Sequence, residues 1–366
     1  MRFMPGLELS EHFFAEAIQP ILTDAFPHLV YSAARLAWGS DVIGYDTPMS
    51  MDHGWGPKVT LFLHEEDYQS HHKEIDHHLA NHLPFEVHGF PTHFGEPLQD
   101  GGRMAQKTDY PIHHMVSITT PTRFFAEYLG VDIHQLLDAR TWLTIPQQHL
   151  LTVRAGRIYY DGLKTLSDLR QRFHWYPHDL WLYLMANQWQ RISQEEAFLG
   201  RVGLVGDELG SRLVATHLIQ DLMRLAFLME KQFAPYRKWF GTAFTELDIS
   251  SVLTPIFNAV LDSQDWKTRE SHLCEAYLLM IRQHNALGVT PTIKAEVSSF
   301  HQRPFLVSQA DRFVDALLAK IEDLDVKALP PRLGSVDQIS NNTDVLDEIK
   351  RCKKLRTLYD ESEDEG

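Results

Sequence analysis

Between Ala37 and His64 the chain reads AWGSDVIGYDTPMSMDHGWGPKVTLFLH, and no other stretch so narrows what it can fold into. A short apolar approach, Leu36-Ala37-Trp38, runs into Gly39-Ser40. A spacer of small, polar and turn-forming residues follows, carrying Asp41 and Asp46 and reaching Asp52. The β-prone run Lys58-Val59-Thr60-Leu61-Phe62-Leu63 comes next. Strand, Gly-Ser turn, spacer, acid and second strand form a layout with a chemical use. Glycine lets the backbone approach a phosphate, and serine adds a hydroxyl and an N–H. A carboxylate at the mouth of the next strand can hold the Mg²⁺ that neutralises those phosphates. Gly39 and Ser40 are therefore candidate phosphate ligands and Asp52 a candidate metal ligand, with Asp46 or Asp41 in reach to assist.

The flanking pattern predicts an α+β fold. Residues 9–25 read as an amphipathic helix capped by Ser10, kinked or divided at Pro20. Strands are expected near 31–38, 58–64, 85–90 and 113–120, with a polar helix over 66–83 and a loop over 91–111. Thr122 is placed to cap a helix ending at Gly130. A short helix around 146–151 is followed by residues 153–160, which make a turn into an edge strand. Four or five strands separated by helices imply a mixed sheet with helices packed on it. After Asp161 helical periodicity is nearly continuous to Arg282, broken at Pro177, around 200–210, at Pro235 and near Ser250. Ser308–Ile321 reads as the last amphipathic helix. The expected division is a sheet domain over 1–165, a helical bundle over 166–326 and a mobile charged tail over 327–366, with Asp344–Leu358 able to form a short helix.

Composition limits the partners. An apolar content of 44% in 366 residues suits one large or two ordinary packed domains. No apolar run is long enough for a membrane span, and the N-terminus carries no signal-peptide pattern. Two cysteines, Cys274 and Cys352, suit a reducing, cytoplasmic location and form no disulfide framework. A formal charge of −15 argues against general nucleic-acid binding.

The Gly-Ser stretch resembles the signature of the nucleotidyltransferase fold. Gly39-Ser40, Ser50-Met51-Asp52-His53 and Trp55-Gly56-Pro57 are more specifically similar to the family called domain of unknown function 4037. Further matching blocks are Arg157–Asp161, Trp175–Asp179, Gly200-Arg201 with Gly206–Gly210, Phe233–Gly241 and His284–Gly288. The resemblance implies a nucleoside triphosphate, ATP or another, bound with Mg²⁺ between a sheet and a helical domain. It implies transfer of a nucleotidyl group to a hydroxyl of a small molecule or a protein. By the same resemblance a helix-borne Glu195 or Glu196 is the base for that hydroxyl. The fold's second strand acid is missing here, because Gly54 follows Asp52-His53, and the run IHHMVSITT carries no third. A non-catalytic scaffold or nucleotide sensor is the alternative.

Other constellations remain open in the sequence. Glu195-Glu196 and Asp207-Glu208 serve equally as solvated helix carboxylates or as partners of Arg201 and Arg212. GRVGLVGDELGS lacks the strand before it and the Lys-Ser/Thr after it that a phosphate loop needs, and a tight helix crossing accounts for its glycines. Arg237 and Lys238 in Tyr236-Arg237-Lys238-Trp239 can meet triphosphate oxygens, or can mark a helix starting after Pro235. Eleven of 21 histidines fall between His53 and His114. His78 and His82 have metal-binding spacing on a helix, but surface histidines explain the run as well.

Overall fold

The computed structural model describes residues 2–52, 54–96 and 102–360. Two compact units are present: residues 1–136 with 149–174, and residues 137–148 with 175–366. The expected break at 165 is not where the chain divides. Residues 137–148 join the helical unit because the partners of their backbone lie there: the Ala139 amide donates to Asp325 (2.6 Å) and the Gln147 amide to Asp337 (2.9 Å).

The first unit opens with α1 (Gly6–Phe13), a π-helical turn (Phe14–Ile18) and α2 (Gln19–Ala25). Pro20 does not break the helix; it sits at the start of α2, and the wider turn just ahead absorbs the hydrogen bond a proline cannot make. Ser10 lies inside α1 rather than capping it, and its hydroxyl accepts from the Lys58 amide (3.2 Å). Then follow β1 (Tyr31–Arg35), β2 (Lys58–Leu63), α3 (Glu65–His82), β3 (Glu86–Val87), β4 (Phe90–Pro91), β5 (His93–Phe94), β6 (Met104–Ala105), β7 (Met115–Thr119) and α4 (Pro121–Tyr128). Thr120, not Thr122, caps α4, because Pro121 takes the first helical position where no N–H is needed. The helices α5 (Ala139–Leu143) and α6 (Gln147–Ala155) precede β8 (Arg157–Asp161) and α7 (Leu166–Arg172).

The sheet order is β7-β2-β1-β8. β1 runs antiparallel to both β2 and β8, and β2 runs parallel to β7, so the sheet is mixed and β8 is an edge as its sequence implies. Tyr31, Ala33, Val59, Leu61, Leu63 and Val116 bury one face against Phe13, Phe14, Ile18 and Leu22, with Ile75 and Leu79 of α3. Residues one step along each strand point the other way. Register there sets Thr60 beside Ala34 and Ser117, Lys58 beside Met115, and Phe62 beside Thr119. Phe124 of α4 packs edge-on against Phe62 at 5.2 Å.

The second unit is helical: α8 (His178–Glu195), α9 (Phe198–Leu204), α10 (Glu208–Met229), α11 (Arg237–Phe244), α12 (Ser250–Asp262) and α13 (Trp266–Ala286), then α14 (Asp311–Leu318). A two-residue ladder, β9 (Ser298–Ser299) with β10 (Leu306–Val307), lies between α13 and α14 and is not expected from the sequence. The glycines of α9 serve close packing. A Cβ on Gly203 would lie 2.2 Å from Trp266, and one on Gly200 would lie 2.4 Å from Phe305.

The tail from 327, expected to be mobile, is packed as far as Tyr359. After α15 (Leu324–Lys327) it forms α16 (Val336–Ile339), α17 (Thr343–Leu346), α18 (Ile349–Lys354) and a 3₁₀ turn (Leu355–Tyr359). Val336, Ile349 and Cys352 make a buried cluster, and the Tyr359 hydroxyl donates to Gly334 (2.8 Å). The acids at 361–365 lie outside the described residues. No helix among the described residues is long and apolar enough to cross a membrane.

Candidate functional site

The chain leaves β1 through left-handed backbone, with φ of 73° at Ala37 and 140° at Gly39. An alanine held there costs about 1–3 kcal/mol, a strain that collects at functional sites. The Val42 amide donates to Gly39 (3.2 Å) and the Tyr45 amide to Ser40 (2.9 Å), so Gly39-Ser40 opens a closed turn.

Inside this turn Arg35 and Asp41 form a buried two-pronged pair, Nε to Oδ2 at 2.8 Å and Nη2 to Oδ1 at 3.0 Å. The guanidinium also donates to the carbonyls of Leu36 (3.0 Å) and Trp38 (2.7 Å). A Cβ on Gly39 would lie 1.9 Å from Asp41 Oδ1 and 2.6 Å from Arg35 Nη2. Gly39 is required for this ion pair whether or not a phosphate comes to it.

Asp46 is also engaged within the protein. Its Oδ2 accepts from the Gly6 amide (2.7 Å) and from Trp55 Nε1 (2.9 Å). Trp55 is buried, stacked on Phe3 at 5.9 Å and edge-on to Phe90 at 5.4 Å. The loop acids thus turn toward Arg35, Gly6 and Trp55. Asp52 is half-buried in the loop ahead of β2 rather than on the strand, and its carbonyl accepts from the Trp55 amide (3.3 Å). His53 lies outside the described residues.

The strand itself starts with Lys58. A Cβ on Gly54, the position where a second acid is sought, would stand 3.5 Å from Lys58 Nζ. Burial, with Arg35 nearby, pushes the Lys58 ammonium down to about 8, and Asp41 offsets part of that. Along the same face of β2 and β7 stand Thr60, Ser117 and Thr119, so these strands offer a cation and hydroxyls where a metal clamp needs carboxylates. This donor set does not fit a metal gripped by two acids of one strand. It fits at most a Mg²⁺ that arrives on phosphates and meets Asp52.

Trp38, next to Gly39, is 55% exposed, with its ring edge-on to Tyr128 at 4.6 Å. It leaves an indole surface beside the turn. Neither Trp38 nor Lys58 stands out as a site residue in the sequence. The signal for Lys58 is the strand's own alternation, which puts it and Thr60 on the face opposite Val59 and Leu61.

The remaining candidates lie in the helical unit. Glu195 ends α8 and its Oε2 contacts His217 Nδ1 at 2.7 Å. Glu196 is buried; it accepts from the Ser308 amide (2.7 Å), the Ser308 hydroxyl (2.7 Å) and the Ala310 amide (3.2 Å), which fixes the start of α14. Burial raises its pKa, and those donors pull the other way. Arg237 and Lys238 are exposed in the first turn of α11, which begins just after Pro235, with Lys238 Nζ over the Trp239 ring at 4.9 Å.

No curated protein matches the chain. Among solved structures it is similar to that of a nucleotidyltransferase-like protein from Exiguobacterium sibiricum 255-15, at 11% identity and a TM-score of 0.34, covering 83% of this chain and 88% of the other. The blocks Arg157–Asp161, Trp175–Asp179, Gly200–Gly210 and all but the last residue of Phe233–Gly241 fall within one matched segment, whereas Gly39–Pro57 and His284–Gly288 fall outside it. Over residues 142–240 the chain matches the family model described as Domain of unknown function (DUF4037), in keeping with the resemblance its motifs carry.

Proposed function

We propose that this is a nucleotidyltransferase-like protein that binds a nucleoside triphosphate at the Gly39-Ser40 turn without transferring it. Ser40 and Lys58 meet phosphate oxygens, Trp38 offers a surface for the base, and a Mg²⁺ carried by the phosphates finds Asp52. The observation that carries this reading is the Lys58 ammonium beside Gly54, on a strand face whose other polar groups are hydroxyls. A cation there favours anionic phosphate and disfavours a second divalent ion. Its half-buried position strengthens the charge-assisted contact.

Calorimetric titration of ATP and GTP with Mg²⁺ into wild type, Lys58→Met and Trp38→Ala tests it. Wild type binds at least one nucleotide. Lys58→Met binds at least about tenfold more weakly, and Trp38→Ala loses the ~1–3 kcal/mol of a base–aromatic stack. No binding to wild type, or equal affinity in Lys58→Met, overturns the site. A parallel assay follows pyrophosphate release with candidate small-molecule or protein acceptors. Release by wild type that vanishes in Asp52→Ala overturns the non-catalytic part and restores the transferase.

A further inference from the structure

His12, Glu16 and His88 converge at the surface of the first unit, and their ligand atoms all lie within 4.8 Å of one another. His12 Nδ1 is 2.7 Å from Glu16 Oε1, and His88 Nε2 is 3.0 and 3.2 Å from the two Glu16 oxygens. The two imidazole rings lie 4.3 Å apart, tilted by 46°. We propose that these three side chains form a zinc site, with the fourth position open to water.

The donor set is right for that metal: two imidazole nitrogens and a carboxylate oxygen are a common three-ligand zinc shell. Bonds of about 2.0–2.1 Å at tetrahedral angles set ligand atoms about 3.3 Å apart. The 2.7 and 3.0 Å edges from the two histidines to Glu16 Oε1 need a slight spreading, and the His12–His88 edge, within 4.8 Å, sets how far the rings must move to admit the ion.

Two backbone features bring the ligands together. His12 is in α1 and Glu16 in the π-helical turn that follows. In a regular α-helix the fourth residue on falls about 40° past the first. The wider turn shortens the angular step and brings Glu16 more nearly over His12. His88 comes from 72 residues further along, at the tip of the β3–β4 hairpin. It has φ of 49° and is followed by Gly89 at 80°, a left-handed pair in a two-residue turn. Asn, Asp or Gly is the usual first residue of such a turn, so a histidine there is not the choice backbone preference would make. The hairpin is held from below by Val87 and Phe90, both buried, so it presents His88 from a fixed base.

The site stands apart from the nucleotide reading and is tested without it. Chelator-stripped protein is titrated with Zn²⁺ by calorimetry and melted with and without it, and Co²⁺ is added as a visible-spectrum reporter of tetrahedral coordination. The variant His88→Asn keeps a residue that tolerates the left-handed turn, and Glu16→Gln keeps its shape. His78→Asn controls for the other surface histidines. We expect one equivalent of Zn²⁺ to bind and raise the Tm of wild type and of His78→Asn. In His88→Asn and Glu16→Gln affinity falls at least about tenfold, and the Co²⁺ visible band is lost while circular dichroism is unchanged. Absence of Zn²⁺ binding to wild type, or equal affinity in His88→Asn, overturns the site. Should His88→Asn misfold, Glu16→Gln alone decides in the same way.

Discussion

At the scale of single residues, buried histidine chemistry shows in how stability responds to acid. His284 is fully buried; its Nδ1 accepts from Trp189 Nε1 (3.2 Å), and its Nε2 lies 3.0 Å from Thr290 Oγ1. A proton added at Nδ1 would point into the indole N–H, and burial holds the ring down to about 4. The unfolded chain takes up that proton first, near its ordinary value of about 6.5. Stability is therefore unaffected above that pH, declines from there toward pH 4, and loses up to about 3 kcal/mol through this group. Urea unfolding at several pH values shows the slope in wild type, and His284→Asn shows less of it. The same slope in both would assign it elsewhere. Local chemistry of this kind was only half legible in the sequence. The Gly-Ser turn could be read directly, but what it encloses could not. Arg35 and Asp41 meet because the turn brings them back together, and Asp46 is occupied by Gly6 and Trp55 through contacts no spacing announces.

Among elements, the glycines of the helical unit divide by what surrounds them. Gly203→Ala in α9 drives a methyl into Trp266, and overpacking of about 1–3 kcal/mol outweighs a helix-propensity gain of up to about 1. A methyl on Gly241 in α11 would meet nothing within 4 Å, so Gly241→Ala stabilises by about 0.5–1 kcal/mol. Urea midpoints at constant m separate the two, and a gain for Gly203→Ala would refute the crossing. Strand and helix types were largely readable from periodicity, including the edge position of β8. Their starts were less so. Ser10 and Thr122 look like caps in isolation, and the choice of Pro5 and Thr120 instead depends on where the first turn finds its partners. The single strand expected at 85–90 is instead a two-residue hairpin over 86–91, and the ladders at 93–105 and 298–307 are too short to leave a period.

At the scale of the whole molecule, the polar composition of the last forty residues concealed their packing. The Gln338 amide donates to Leu184 and Gln188 at 3.0 Å each, and Arg356 pairs with Asp138. A few apolar anchors set among charges suffice: Val336, Ile349, Cys352 and Tyr359 are all buried. Ending the chain at Gly334 removes them at about 1.5–3 kcal/mol for each large apolar side chain, and a Tm lowered by several degrees is the expected result. An unchanged Tm would return the segment to the status of an appendage. The division of the chain has its own consequence for biosynthesis. When the chain has been made as far as residue 136, the first unit still lacks β8, which closes the side of β1 only once residues 157–161 have been translated. Until then β1 presents a bare row of amides and carbonyls, the kind of edge that recruits another strand. Any attempt to produce the sheet unit alone by a single cut at 136 leaves that edge open. A fragment running through residue 174, with the 137–148 excursion bridged, keeps β8 on that edge and contains the whole first unit.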